Sequence, residues 1–120
     1  MKILVAADAA HLESWVAKRF GEAPFYLIYD SETGEYEARE NHGHDDSHSG
    51  LVDLVKEGIL HYLVGNTGPN AFQILNDLGV KLFLARGMKA SEALEAYKKH
   101  ELTLLEKPTL KRPIHDHGHE

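Results

Sequence analysis

The sequence contains no cysteine. That removes disulfides, thiolate nucleophiles and cysteine-ligated iron–sulfur clusters together. Any metal held by the chain must use His, Asp, Glu, Asn or backbone oxygen. No apolar run approaches the ~20 residues that span a bilayer, so no membrane partner is expected. A signal peptide needs a longer apolar region than "MKILVAADAA" and a cleavage site ahead of the fold. The cytoplasm is the expected location. Positive charge is in the minority: 13 Lys and Arg stand against 19 Asp and Glu, a net charge of −6 with histidines neutral. A nucleic-acid binder would show a basic stripe. The cluster Lys98, Lys99, Lys107, Lys111 and Arg112 does not reverse the sign, and no nucleic-acid partner is expected.

What is present is an ordinary globular chain. Its 120 residues fit one domain and can bury a core without staples. Ile3 to Ala7 form a short apolar run closed by Asp8, as a strand buried on both faces would. Leu12, Trp15, Val16 and Phe20 recur at helical spacing and predict a short helix ending near Gly21. Residues 24–30 read as a strand, 31–34 as a turn, and 35–41 as its hairpin partner. Ser49 can cap a helix carrying Leu51, Val52, Leu54 and Val55 on its inner face. Residues 59–65 and 80–85 read as further buried strands. Between them Gly68-Pro69 opens a helix that Gly79 closes. A last amphipathic helix covers 91–102, with Ala93, Leu94 and Tyr97 inward and His100 at its end.

After Leu105 the pattern fails, so residues 1–105 are expected to be the folded domain and 106–120 a His-rich tail. Short connections and right-handed crossovers make the later strands parallel to the first. The expected fold is α/β: a five-stranded mixed sheet in order 3-2-1-4-5 with helices on both faces. That is the ribonuclease H-like architecture; flavodoxin-like folds stay open on the element pattern alone.

In such a sheet ligands sit beyond the C-terminal strand ends, at the switch point between strands 1 and 4. The segments there are Asp8-Ala9-Ala10-His11 and Asn66-Thr67-Gly68-Pro69-Asn70. The second opens a helix, whose free N–H groups and partial positive charge suit an anion. Gly65 and Gly68 would let backbone approach a ligand closely. Asn66, Thr67 and Asn70 add polar contacts. Plain capping by Thr67 or Gly68 explains the same residues. The spacing is neither a Walker loop nor a dinucleotide fingerprint.

The stretch "ENHGHDDSHSG" is a second candidate. His42 and His44 form an H-x-H pair that can chelate a borderline metal such as Zn, Ni or Cu, with His48, Asp45 and Asp46 able to complete the sphere. The spacing matches no closed structural zinc signature, and a solvated loop is the competing reading. His115, His117 and His119 in the tail would bind divalent metal in vitro regardless of role. His61 lies within a strand and reads as a packed or hydrogen-bonded residue. Asp8 raises a nuclease reading, but a two-metal site needs several carboxylates and the strand "LHYLVGN" offers none.

Four stretches resemble the dinitrogenase iron–molybdenum cofactor biosynthesis family, which includes NifX, NafY and the C-terminal domain of NifB. They are "FGEAPFYLIYD", "GNTGPNAFQIL", "GVKLFLARG" and "EALEAYKKHEL". The resemblance runs from Met1 to about Leu105. It implies the ribonuclease H-like fold and a role without a catalytic reaction: carrying or inserting an anionic iron–sulfur or iron–molybdenum cofactor precursor. It also implies a cofactor-assembly protein as partner. Family members often carry histidine in the loop after the third strand, where His42, His44 and His48 fall. Three readings follow. The first is a cluster carrier using Asp8, His11, Asn66, Thr67, Gly68 and Asn70, with His42, His44 and His48 as metal ligands. The second is a divalent-metal binder or metal-responsive interaction domain using the His loop and tail. The third and weakest is a hydrolase using Asp8.

Overall fold

The computed structural model describes residues 1–41 and 48–109, the side chains of His48 and Ser49 excepted. Strand β1 (Lys2–Ala7) lies inside the sheet. Ile3 is 1% exposed, and Leu4, Val5, Ala6 and Ala7 are 0% exposed, so the continuous apolar run has the double burial it implies. β1 pairs antiparallel with β2 (Phe25–Asp30), which pairs antiparallel with β3 (Tyr36–Glu40). On its other side β1 runs parallel to β4 (His61–Val64), in register Leu4 with Tyr62. β4 runs parallel to β5 (Lys81–Leu84). A two-residue strand β6 (Thr103–Leu104) closes the edge antiparallel to β5. The order is β3-β2-β1-β4-β5-β6.

Alternation along β1 divides the core. Leu4 and Ala6 join Tyr62, Val64 and Leu82 on one face. There they meet Leu54 of helix α1 (His48–Lys56) and Leu75 of helix α2 (Pro69–Asp77). Ile3, Val5 and Ala7 point the other way with Leu27 and Leu63, and meet Ala90, Ala93 and Leu94 of helix α3 (Ala90–Lys98). Burying each Leu, Ile or Val among them contributes about 1.5–3 kcal/mol. Arg39 on the outer strand β3 forks onto the Glu57 carboxylate, at 2.8 and 2.9 Å, and also contacts Glu37. These charges blunt an exposed sheet edge.

Two expectations are corrected. The sheet has six strands, not five, because chain leaving α3 turns at His100 (φ 60°) and pairs with the otherwise open edge of β5. α3 therefore stops at Lys98 rather than 102. The helix expected from Leu12 to Phe20 does not form. Residues 15–19 are extended, a short 3-10 turn covers Phe20–Glu22, and Trp15 is 53% exposed. The main-chain groups of this segment bond instead to β1, to Asn66 after β4 and to residues 88–91 at the start of α3, and those bonds outweigh a local helix.

His61 opens β4 at the N-terminal edge of the parallel strands and is half-buried. Its Nδ1 shares a 2.5 Å hydrogen bond with the Tyr97 hydroxyl, and its ring packs against Phe83 and Tyr97. Burial, and then the charge of Lys81, hold its pKa below the usual 6.5. As pH falls through 6.5 the unfolded chain takes up this proton before the folded one does. Stability therefore falls with pH from 6.5 down through the depressed value. Urea unfolding between pH 7.5 and 5 should show a shallower loss for His61→Gln than for wild type; parallel losses would mean His61 does not contribute.

Candidate functional site at the C-terminal strand ends

β1, β4 and β5 all point their C-terminal ends to one edge of the sheet. The segment that follows β1 doubles back across that edge. Asp8 N–H donates to Trp15 O at 2.9 Å, and Ala17 N–H to Ala6 O at 2.9 Å, tying it to β1. Asn66 N–H donates to Lys18 O, and Phe20 N–H to Asn66 O, both at 2.8 Å, tying it to the end of β4. Val16 N–H donates to Met88 O, while Ala90 N–H and Ser91 N–H donate to Ser14 O and Leu12 O. Those bonds tie it to the loop between β5 and α3. Buried Ser14 closes the turn from within, its hydroxyl donating to His11 O at 2.6 Å. The switch point between β1 and β4 is thus stitched by the chain's own residues 15–20.

Gly65 makes this possible. A Cβ there would lie 2.2 Å from Ala17 O and 2.7 Å from Lys18 O. Both are backbone atoms and cannot swing away. The close approach expected at Gly65 is therefore made by this chain's own backbone. Gly68 is different: a Cβ there would meet nothing within 4 Å.

The expected site residues fall in two groups. Asp8 and His11 are exposed on the turn after β1. Asn66 is half-buried, Thr67 is 1% exposed and Asn70 is exposed, all on the turn into α2. The two groups flank the 15–20 segment, which bonds to both Asp8 and Asn66. Thr67 is committed internally: its hydroxyl donates to Gly65 O at 3.2 Å and its N–H to Thr109 Oγ1 at 2.8 Å. Thr109 N–H returns a bond to Thr67 O at 3.0 Å. Residues 106–109 thus reach back from β6 to the turn that starts α2. Gly68 sits at the N-cap with extended backbone, Pro69 follows it, and no side chain caps the helix. Among the described residues the first-turn N–H groups of α2 therefore lack a side-chain acceptor.

Reading the sequence missed two arginines. Arg86, just after β5, donates from Nη1 to Asn66 Oδ1 at 2.7 Å. Arg19 forms a parallel bridge with Asn66. Nothing local marks either residue, because each reaches Asn66 only through the fold. The metal ligands expected at His42 and His44 lie outside the described residues, as does the side chain of His48 and as do His115, His117 and His119. Among the described residues no three His, Asp or Glu side chains are grouped to hold a metal ion. No described helix is long and apolar enough to cross a membrane.

The geometry defines an α/β protein with a mixed sheet and a polar C-terminal edge. The chain matches the family model described as dinitrogenase iron-molybdenum cofactor over residues 1–100, and it belongs to that family. Among solved structures it is similar to the apo form of the orange protein from Desulfovibrio gigas. The TM-score is 0.80 at 27% identity, over 91% of this chain and 96% of that one. A Thermotoga protein provisionally assigned as NifB gives a TM-score of 0.79 at 30% identity, over 92% and 97%. A protein from Methanocaldococcus jannaschii provisionally assigned as a dinitrogenase shares the fold at 17% identity, with a TM-score of 0.70 over 90% and 97%. No curated protein sequence gives a significant match.

Gly65→Ala should pry residues 17–18 from the end of β4 and cost about 1–3 kcal/mol, the range for overpacking a tight site. Urea unfolding of the variant measures this. An unchanged midpoint would show that the approach is not a constraint.

Proposed function

We propose that the chain is a non-catalytic carrier for an anionic metal cluster, an iron–sulfur or iron–molybdenum cofactor precursor, handed on to a cofactor-assembly protein. The observation that carries this reading is the uncapped N-terminus of α2 at the switch point of a chain in this family. A carrier must bind its cargo and release it, so main-chain N–H groups and polar side chains suit the task better than covalent ligation. With no cysteine in the chain, imidazole is the available strong neutral donor, and His42, His44 and His48 would supply it. Asp8, His11, Asn66, Thr67, Gly68 and Asn70 would line the cradle. The core order β3-β2-β1-β4-β5 supports assigning the ribonuclease H-like fold, with β6 as an edge addition.

The test is anaerobic gel filtration of the pure protein with an isolated iron–molybdenum cofactor precursor, read by visible absorbance. Wild type should elute coloured, and a His42→Ala/His44→Ala/His48→Ala variant should elute colourless. A colourless wild type that still binds Zn²⁺ through the same histidines would replace the carrier with a divalent-metal binder.

A further inference from the structure

Arg19 and Arg86 are cations without a carboxylate: among the described residues neither takes part in an ion pair. Both belong to Asn66. Arg86 reaches its Oδ1 directly. Arg19 is bridged to it, with Asn66 N–H bonded to Lys18 O and Phe20 N–H bonded to Asn66 O. Residues paired in a ladder send their side chains to the same face. Arg19 therefore leaves the backbone on the face from which the Asn66 amide meets Arg86. The Arg19 Nε is shut off from solvent and has no hydrogen-bond partner. A guanidinium N–H removed from water without an acceptor is costly. This one has been kept where three segments of chain converge.

The surroundings have the same sign. Lys18 neighbours Arg19 in sequence, and Lys89 lies 5.8 Å over the exposed Trp15 ring. The nearby carboxylates are largely engaged: Glu13 lies 4.0 Å from Lys89, and Glu92 accepts from Lys89 N–H. Asp8, Glu13 and Glu22 are the exposed acids of this segment. A chain of net charge −6 thus sets two arginines at one asparagine, Asn66, with Lys18 beside Arg19 in sequence and Lys89 paired to Glu13.

We propose that Arg19, Asn66 and Arg86 form a clamp for a tetrahedral oxyanion of the molybdate, sulfate or phosphate class. Arg86, with Nη1 on Asn66, keeps its other N–H groups for an oxygen, and Arg19 offers its Nη groups, since its Nε is shut off from solvent. The Asn66 amide nitrogen adds a donor, since its oxygen is already taken by Arg86. The clamp rests on the carrier reading for its tie to the cargo, and it adds the residues that hold the cargo's charge. It supplies no bond to a metal; it grips the oxygens of the oxyanion.

The test is isothermal titration of the full chain with sodium molybdate, repeated with sulfate, with phosphate and at raised NaCl. Thermal melting checks the fold of each variant. Wild type should bind one molybdate, more weakly at high salt. Arg86→Gln, at an exposed position, should lose tenfold or more in affinity, and Arg86→Lys should restore only part, because a point charge cannot fork. Arg19→Gln should lose as much. Absence of saturable binding to folded wild type, or equal affinity in Arg86→Gln, overturns the clamp. Cluster co-elution by a protein that ignores molybdate sinks the clamp and leaves the carrier. Molybdate binding that needs Arg86, with no cluster co-elution, sinks the carrier and leaves the clamp.

Discussion

The backbone contact at Gly65 is the constraint on which the rest of this edge depends. With no Cβ there, the carbonyls of Ala17 and Lys18 can settle against the end of β4. The segment 12–20 then bonds at once to β1, to the turn before α2 and to the loop before α3. β1 and these two connections become one joined rim. Asn66 is held from both sides by main-chain bonds, and its side chain stays free to meet Arg86. Packing of the two core layers sets the sheet, but this contact joins three connections into one edge.

Much of the fold is legible in the sequence. The unbroken apolar run of β1, the hairpin of β2 and β3, and the Gly68-Pro69 start of α2 all read locally, and all three form. The helix expected over 12–20 fails because the periodicity of Leu12, Trp15, Val16 and Phe20 is real but the competing bonds are distant in sequence. Ala17 answers to Ala6, and Lys18 to Asn66. β6 is only two residues long and has no pattern to read. The turn Asn66–Asn70 is legible because glycine and proline punctuate it. Arg19 and Arg86 are not, since a surface arginine and a clamp arginine look alike until the bridge to Asn66 is known.

The two ends of the parallel strands are built differently. At the N-terminal edge His61, Phe83 and Tyr97 pack ring on ring, and Lys98 donates to the Tyr29 hydroxyl at 3.0 Å. That edge spends its polar groups on one another. At the C-terminal edge, among the described residues, a helix starts without a side-chain cap and an arginine N–H lacks an acceptor. Thr109 fastens the chain to Thr67 beside that helix start. Polar capacity left unspent at one edge is what a binding protein needs, and it supports a carrier of anions over a metal buffer.

The most direct measurement is amide and arginine side-chain NMR of the ¹⁵N-labelled protein, recorded as the anionic cargo is added. The account predicts the largest shifts at Asn66, Gly68, Asn70 and the Arg86 side chain. Shifts confined to the edge around His61, Lys81 and Tyr97, with residues 65–70 unmoved, would contradict it.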